Sequence, residues 1–223
     1  MTIMNEIKRN PKRVIYTSSP DRGLQQLLEI WPEVMKAVPD AELEVFYGFQ
    51  LFDKFHAGNP ASMAWKQKIV SQLSQPGIKK HGRLTQPELE AEMKTCGIWA
   101  YPTTFQEINC ISAIKAQAYG CVPVIMNEAA LQTTVQFGIK IGGDIYDDEV
   151  KEVYTQQLIA LLKNSEKQEQ IRKPMMEWAK DISWERVAKQ WIAEFNGEKV
   201  DEIIVPIPEN KFLEVIDGYG GKE

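Results

Sequence analysis

Short apolar runs alternate with amphipathic stretches along most of this chain. The short runs are rich in β-branched and aromatic residues and predict strands, whereas the stretches between them repeat apolar positions every three to four residues, as helices do. The predicted strands cover residues 13–18, 42–48, 77–83, 97–102, 122–126 and 138–143. This alternation predicts a doubly wound α/β fold, in which helices cover both faces of a mainly parallel sheet.

The helical stretches differ in how clearly they begin and end. The first has its apolar face at 24–38 and contains Pro32, which is expected to kink or restart it. Another is expected to begin near Ile108, with a buried face formed by Ile108, Ile111, Ile114 and Ala118. Further helices are predicted over 61–73, 85–96 and 128–136, with three more in 149–195 and a polar loop at 53–59.

The pattern divides the chain into three parts. Residues 1–12 are polar and predict a flexible lead-in, and residues 13–195 predict one domain. Residues 196–223 are rich in glycine, proline and acids, with one apolar run, "EIIVPI". They are expected to form a C-terminal tail that docks weakly or waits for a partner.

Composition narrows the classes of function. The net charge of −5 argues against general binding to nucleic acid or anionic membranes. Three cysteines without paired spacing favour free thiols in a reducing compartment, and no apolar run approaches a membrane span, so a cytoplasmic location is expected. Two histidines without metal-type spacing predict no metal site. The six tryptophans fall at helix-face or strand positions and predict core packing rather than a sugar-stacking platform.

Ligands of a doubly wound sheet bind beyond the carboxyl ends of its strands. One such loop, "YPTTFQEIN" (101–109), precedes a predicted helix whose unpaired N–H groups would attract an anion. Glu107 lies in this loop, where it either contacts a ligand or only caps the helix. The sequence has no G-x-S-x-G, Walker loop or G-x-G-x-x-G after the first strand, which removes hydrolase, P-loop and dinucleotide interpretations.

A family resemblance rests on the segment that follows. The strand ending in Tyr-Pro-Thr, the loop with Glu107, a helix of small residues and the block "GCVPV" resemble the nucleotide-sugar signature of GT-B glycosyltransferases, closest to the family-4 (group 1) retaining enzymes. The stretches "SSPDRGLQQLLEIWPEV", "KKHGRLTQPELEAEMKTCGIWAYPT" and "SWERVAKQWIAEF" resemble the same family in order and spacing. The resemblance covers residues 13–195 and implies the C-terminal, Rossmann-like half of a GT-B fold.

This resemblance implies the donor-binding half of a retaining glycosyltransferase. The domain would bind a nucleoside-diphosphate sugar as donor substrate, without a cofactor or obligatory metal, for transfer to an unknown acceptor. An N-terminal domain or a separate chain would supply the acceptor half. The alternatives are a degenerate, non-catalytic nucleotide-sugar-binding module or subunit, and an epimerase on the same fold.

The resemblance also assigns roles to residues. Glu107, as the catalytic residue, would hydrogen-bond the donor sugar. Arg22 would neutralise phosphate beside Ser19 and Gly23, and the base would lie against the loop Gly82–Leu84. The complete set of expected donor-binding residues is Ser19, Arg22, Gly23, Gly82, Arg83, Leu84, Ile108, Asn109, Cys110 and Lys115, of which Ile108, Asn109 and Cys110 would offer backbone N–H groups to the diphosphate.

Several positions depart from the family pattern. Lys115 stands where the family has a second glutamate that binds the ribose, and a lysine donates hydrogen bonds but accepts none. Ribose recognition has therefore changed, or Lys115 contacts a phosphate, pairs with Glu107 or reaches solvent. Ile108 and Cys110 replace two glycines of the family motif, and Tyr16 occupies the position of an arginine.

Overall fold

The computed structural model describes residues 8–198 and 212–220 and contains seven strands in this part of the chain. The strands are β1 (Asn10–Tyr16), β2 (Glu42–Phe46), β3 (Ile78–Gly82), β4 (Cys96–Tyr101), β5 (Val122–Met126), β6 (Gly138–Ile141) and β7 (Leu213–Ile216). They form one all-parallel sheet in the order β3-β2-β1-β4-β5-β6-β7. The predicted doubly wound α/β fold is confirmed, and the direction of winding reverses between β1 and β4.

The helices lie around this sheet. They are α1 (Leu24–Ala37), α2 (Gln50–His56), α3 (Pro60–Gln72), α4 (Gln86–Thr95), α5 (Ile111–Ala118), α6 (Leu131–Thr134), α7 (Asp148–Leu162), α8 (Ser165–Ala179) and α9 (Trp184–Phe195). Helix α1 contacts α3 and α7, while α5 contacts α8. None of the helices within 8–198 and 212–220 is long and apolar enough to cross a membrane.

Helix α1 continues through Pro32 without the predicted restart. Proline lacks an N–H group, so the carbonyl of Leu28, four residues earlier, loses its partner within the helix. The side-chain amide of Gln75 donates to this carbonyl at 3.1 Å. Because a neighbouring segment satisfies the carbonyl, α1 remains one helix.

The predicted polar loop at 53–59 is wrong for residues 53–56, because residues Gln50–His56 form α2, and only 57–59 are without helix. The ring of Phe52 lies 5.1 Å from that of Trp65 on α3, and the ring of Phe49 lies 6.4 Å from it. These aromatic contacts hold a short helix that local propensity alone does not predict.

Helix α5 begins three residues later than predicted. Its N-cap is Cys110, so Glu107 does not cap it. The predicted buried face is also wrong, since Ile108 is 98% exposed and Ile111 52% exposed. The buried side chains belong to Ala113, Ala116 and Gln117. Gln117 is buried because its amide donates to the carbonyls of Ala113 and Thr134 and accepts from the backbone N–H of Gln136.

The C-terminal region differs from the predicted tail. Strand β7 pairs with β6 and extends the sheet, and the sequence analysis did not predict it. The "EIIVPI" run lies outside the described residues. Helix α9 buries none of its residues, and its Trp184 and Trp191 are 77% and 63% exposed, so the predicted core position is wrong for these two tryptophans. Trp31 and Trp99 are fully buried, as predicted.

Candidate functional site

Two loops meet at the carboxyl ends of β1 and β4. The loop after β1 makes a turn in which Arg22 N–H donates to Ser19 O at 3.0 Å, and the Tyr16 hydroxyl donates to the same oxygen at 2.7 Å. The turn ends at Gly23, whose φ is +103°. A Cβ atom added to Gly23 would lie 2.4 Å from the carbonyl oxygen of Pro102, so only glycine permits this close approach of the two loops.

The approach brings Arg22 and Glu107 together. The guanidinium Nη1 lies 3.2 Å from Glu107 Oε1, and the guanidinium carbon lies 3.8 Å from the centre of the Phe105 ring. The hydroxyl of Tyr101 donates to Glu107 Oε1 at 2.9 Å. Both contacts use Oε1, and within the described residues Oε2 has no hydrogen-bond partner. The carboxylate is therefore held in place with one oxygen left for a ligand.

Tyr101 is a neutral donor in this cluster. Tyr101 is the last residue of the fully buried strand β4. Burial raises the pKa of Tyr101 well above its ordinary value, and the nearby Glu107 carboxylate raises this pKa further. Its oxygen also lies 3.2 Å from Ser18 Oγ. Because the phenol keeps its proton at physiological pH, it continues to donate to Glu107.

The backbone around Glu107 is anchored at both ends of the loop. The N–H of Phe105 donates to the hydroxyl of the buried Thr103 at 3.0 Å. The carbonyl of Glu107 accepts from the N–H of Ala130, in the loop after β5, at 3.1 Å. These bonds fix the position of the carboxylate before any ligand arrives.

The amides of the exposed Ile108 and Asn109 and of the buried Cys110 lie in the turn between Glu107 and α5. Within the described part of the chain, no group accepts a hydrogen bond from these three amides. They are therefore available to an anion, together with the positive end of α5. Burial raises the pKa of the Cys110 thiol to about 11, so it is not a thiolate nucleophile.

Lys115 points away from this cluster. Its Nζ lies 2.6 Å from Gln86 Oε1 and 3.0 Å from Glu90 Oε1, both on α4. The hydrogen bond from Lys115 to Glu90 lowers the pKa of Glu90. The alternative in which Lys115 pairs with Glu107 is wrong, because Lys115 pairs with Glu90 and Glu107 pairs with Arg22.

The loop expected to hold the base is open. Gly82 has a φ of +74° and no atom within 4 Å of where its Cβ would be, and its carbonyl accepts from the N–H of Tyr47 at 2.8 Å. The exposed Arg83 guanidinium lies 5.7 Å from the centre of the Tyr47 ring. Leu84 packs partly against the core. An open loop with an arginine and a tyrosine beside it suits a planar ring.

Sequence reasoning missed Tyr101 and Phe105, which hold Glu107 and Arg22. The signal for Tyr101 was present, since a tyrosine that ends a buried strand at the carboxyl edge of a sheet directs a hydroxyl group into the crevice.

No group of three or more histidine, cysteine or acidic side chains within 8–198 and 212–220 is arranged to hold a metal ion.

Comparison with known proteins and solved structures identifies the fold of this chain. No protein-family model matches the sequence, and no curated protein matches it. Among solved structures, the pneumococcal O-GlcNAc transferase GtfA in complex with UDP and GlcNAc is 14% identical, with a TM-score of 0.63 over 85% of this chain and 36% of its own. The chain has the fold of one half of a GT-B glycosyltransferase.

Two further structures agree with this assignment. Anabaena Alr3699/HepE in complex with UDP is 16% identical, with a TM-score of 0.63 over 83% of this chain and 48% of its own. The catalytic domain of starch synthase IV from Arabidopsis thaliana, bound to ADP and acarbose, is 13% identical, with a TM-score of 0.59 over 88% of this chain and 40% of its own. The chain thus spans less than half of these structures, and identities this low establish the fold alone.

Proposed function

We propose that this domain is the donor-binding half of a retaining GT-B glycosyltransferase and binds a nucleoside-diphosphate sugar. The observation that carries the proposal is the Arg22–Glu107 cluster beside the unpaired amides of residues 108–110. The similar structures support it, because two of them are complexes with UDP and a third is bound to ADP.

The proposed chemistry is electrostatic. Negative charge develops on the leaving diphosphate during transfer, and donors fixed in advance stabilise such charge. Arg22 provides a guanidinium, which binds phosphate oxygens in charge-assisted hydrogen bonds, and Ile108, Asn109 and Cys110 provide N–H groups. In this proposal, these groups neutralise the diphosphate without a metal ion or other cofactor.

Glu107 has a different part in the proposal. Its Oε2 would accept a hydrogen bond from a hydroxyl of the donor sugar, while Tyr101 and Arg22 hold Oε1. The base would lie on the open surface formed by Gly82, Arg83 and Leu84. An N-terminal domain or a separate chain would supply the acceptor-binding half, because a GT-B site forms between two halves.

A second candidate function is a degenerate nucleotide-sugar-binding subunit without catalysis. Lys115 favours it, because this side chain is tied to α4 and supplies no acceptor for ribose hydroxyls. The two candidates differ in what Glu107 does. A working donor site distinguishes the sugar nucleotide from the free nucleotide through Glu107, whereas a degenerate site does not.

Calorimetric titration tests the proposal with UDP, GDP and ADP and with UDP-glucose, UDP-N-acetylglucosamine, GDP-mannose and ADP-glucose. We expect R22Q to weaken every ligand that binds by at least about tenfold, since it removes a charge-assisted phosphate contact. We expect E107Q to weaken the sugar nucleotide while the free nucleotide binds as well or better, because Arg22 loses its carboxylate partner.

A matched control is K12Q, which removes one positive charge from an exposed pair with Asp40. This variant should leave every affinity unchanged. Absence of binding to all seven ligands would overturn the proposed function. Binding that E107Q leaves equal for nucleotide and sugar nucleotide would favour the degenerate subunit.

A further inference from the structure

A second cleft opens beside the candidate donor site, between the loop after β1 and the helices α1, α2 and α3. It has a volume of about 380 Å³, comparable to small-molecule sites in general. Six of its lining residues carry polar or aromatic side chains that bear on what it binds: Asp21, Gln26, Phe52, Ser62, Trp65 and Tyr146. Arg22 and Glu107 do not line this cleft, so it is separate from the cluster described above.

Gln26 is the unusual residue of this cleft. Only 4% of it is exposed, and the described part of the chain supplies no hydrogen-bond partner for its side-chain amide. Its neighbour Gln25 is fully engaged by comparison, because it accepts from Trp65 Nε1 at 2.7 Å and donates to Glu29 at 2.8 Å. Because Gln26 lines the cleft, a ligand that covers its amide must replace the amide's hydrogen bonds to water, which favours a polar ligand.

The walls of the cleft are aromatic and held in place. The rings of Phe52 and Trp65 lie 5.1 Å apart at 38°, and the bond to Gln25 fixes the Trp65 indole. Tyr146, in the loop before α7, is 61% exposed on the cleft's rim. Aromatic faces fixed in advance bind flat apolar surfaces at little entropic cost.

Charge narrows the ligand class. Asp21 is the only charged residue among the described residues that line the cleft, so a diphosphate or other anion is disfavoured there. A quaternary ammonium ion would suit the rings and Asp21, but it cannot hydrogen-bond to Gln26. A neutral sugar satisfies both requirements, since its C–H face packs on aromatic rings and its hydroxyls donate to and accept from an amide.

We propose that this cleft is a binding site for a neutral carbohydrate, held by the Gln26 amide between Trp65, Phe52 and Tyr146. Asp21 and Gly23 flank Arg22 in the chain, so the bound sugar lies alongside the loop that carries Arg22. The proposal stands on the cleft alone and does not need a working donor site.

The test uses the whole chain and three neutral trisaccharides, maltotriose, cellotriose and chitotriose, in calorimetry and saturation-transfer NMR. We expect at least one to bind, and Q26L and Y146A each to weaken it by about fivefold or more. Q26L should leave the melting temperature about unchanged, because within the described residues the Gln26 amide makes no hydrogen bond that the substitution would break, and leucine is of similar size. Y146A alters an exposed side chain and should also leave folding intact.

Controls separate this site from the donor site. R22Q should leave trisaccharide binding unchanged, whereas Q26L should leave nucleotide binding unchanged, so each proposal can fail without the other. Absence of binding to all three trisaccharides would overturn the proposal. So would equal binding by wild type, Q26L and Y146A, or a melting temperature of Q26L several degrees below wild type, which would mean that the amide is structural. Displacement of the trisaccharide by choline would place a cation in the cleft and overturn it as well.

Discussion

Lys115 on α5 and Glu90 on α4 form an ion pair, with 3.0 Å between Nζ and Oε1. Gln86, one turn earlier on α4, accepts a second hydrogen bond from the same ammonium group at 2.6 Å. The resemblance places an acid at position 115, facing the ribose. In this chain, the residue instead links two helices that precede and follow β4, and this contact would compete with any role in donor binding.

The first prediction concerns this link. K115E removes the ion pair and places a second carboxylate beside Glu90, so we expect the free energy of unfolding to fall by about 1 kcal/mol. Urea denaturation measures the change. K115Q, which removes the attraction without adding repulsion, should cost less. The double variant K115E/E90K restores opposite charges and should recover most of the loss, and failure to recover it would show that the pair does not link the helices.

The second prediction concerns Gly23. In G23A, the added Cβ meets the carbonyl oxygen of Pro102 at 2.4 Å in a backbone conformation with φ of +103°. We expect destabilisation of about 3 kcal/mol or more from the combined strain and clash. G82A is the matched control, since its φ of +74° is also positive but its Cβ meets nothing within 4 Å. It should cost only about 1 kcal/mol, and equal losses in the two variants would contradict the close approach of the loops.

Much of the sheet was predictable because central parallel strands are apolar throughout. Strand β4, "CGIWAY", is buried at all six positions, and β5, "VPVIM", at all five, so continuous apolar runs bounded by turns were sufficient. Glu107 was a candidate from its loop at the carboxyl end of a strand, but Arg22 was predictable as a site residue only through the resemblance, because the two residues lie 85 positions apart and meet through Gly23.

The features that the sequence did not predict depend on tertiary contacts. Helix α2 depends on the packing of Phe52 against Trp65, and the buried face of α5 includes Gln117, whose polarity conceals it from any hydrophobic pattern. Strand β7 has only four residues and none of them is fully buried, so it carries no strong periodic signal. Each of these features is decided by a partner distant in sequence, which local patterns do not report.

The third prediction concerns the tryptophans. W191A removes a side chain that is 63% exposed on a helix without buried residues, so we expect a loss in unfolding free energy below about 0.5 kcal/mol. W99A removes a fully buried side chain from β4, and we expect a loss of about 3–5 kcal/mol. Thermal and urea denaturation compare the two. A loss above about 2 kcal/mol for W191A would mean that another segment covers α9 in solution.

The fourth prediction concerns Lys140 in β6, which is only 3% exposed and donates to the carbonyl of Gln132 at 2.7 Å. Burial lowers the pKa of Lys140 to about 8. Between this pKa and the unfolded value of about 10.4, the unfolded chain holds a proton that the native state lacks, so this lysine's contribution to stability rises with pH. Below pH 8, both states are protonated and the native state bears the full cost of the buried charge.

K140M should therefore be more stable than wild type by on the order of 1 kcal/mol at pH 7. The difference should shrink between about pH 8 and pH 10.4. Burial also raises the pKa of Cys121 and Tyr154, which destabilises both proteins equally at high pH, so the difference between the two curves isolates Lys140. A difference that stays constant from pH 7 to pH 10 would contradict the lowered pKa.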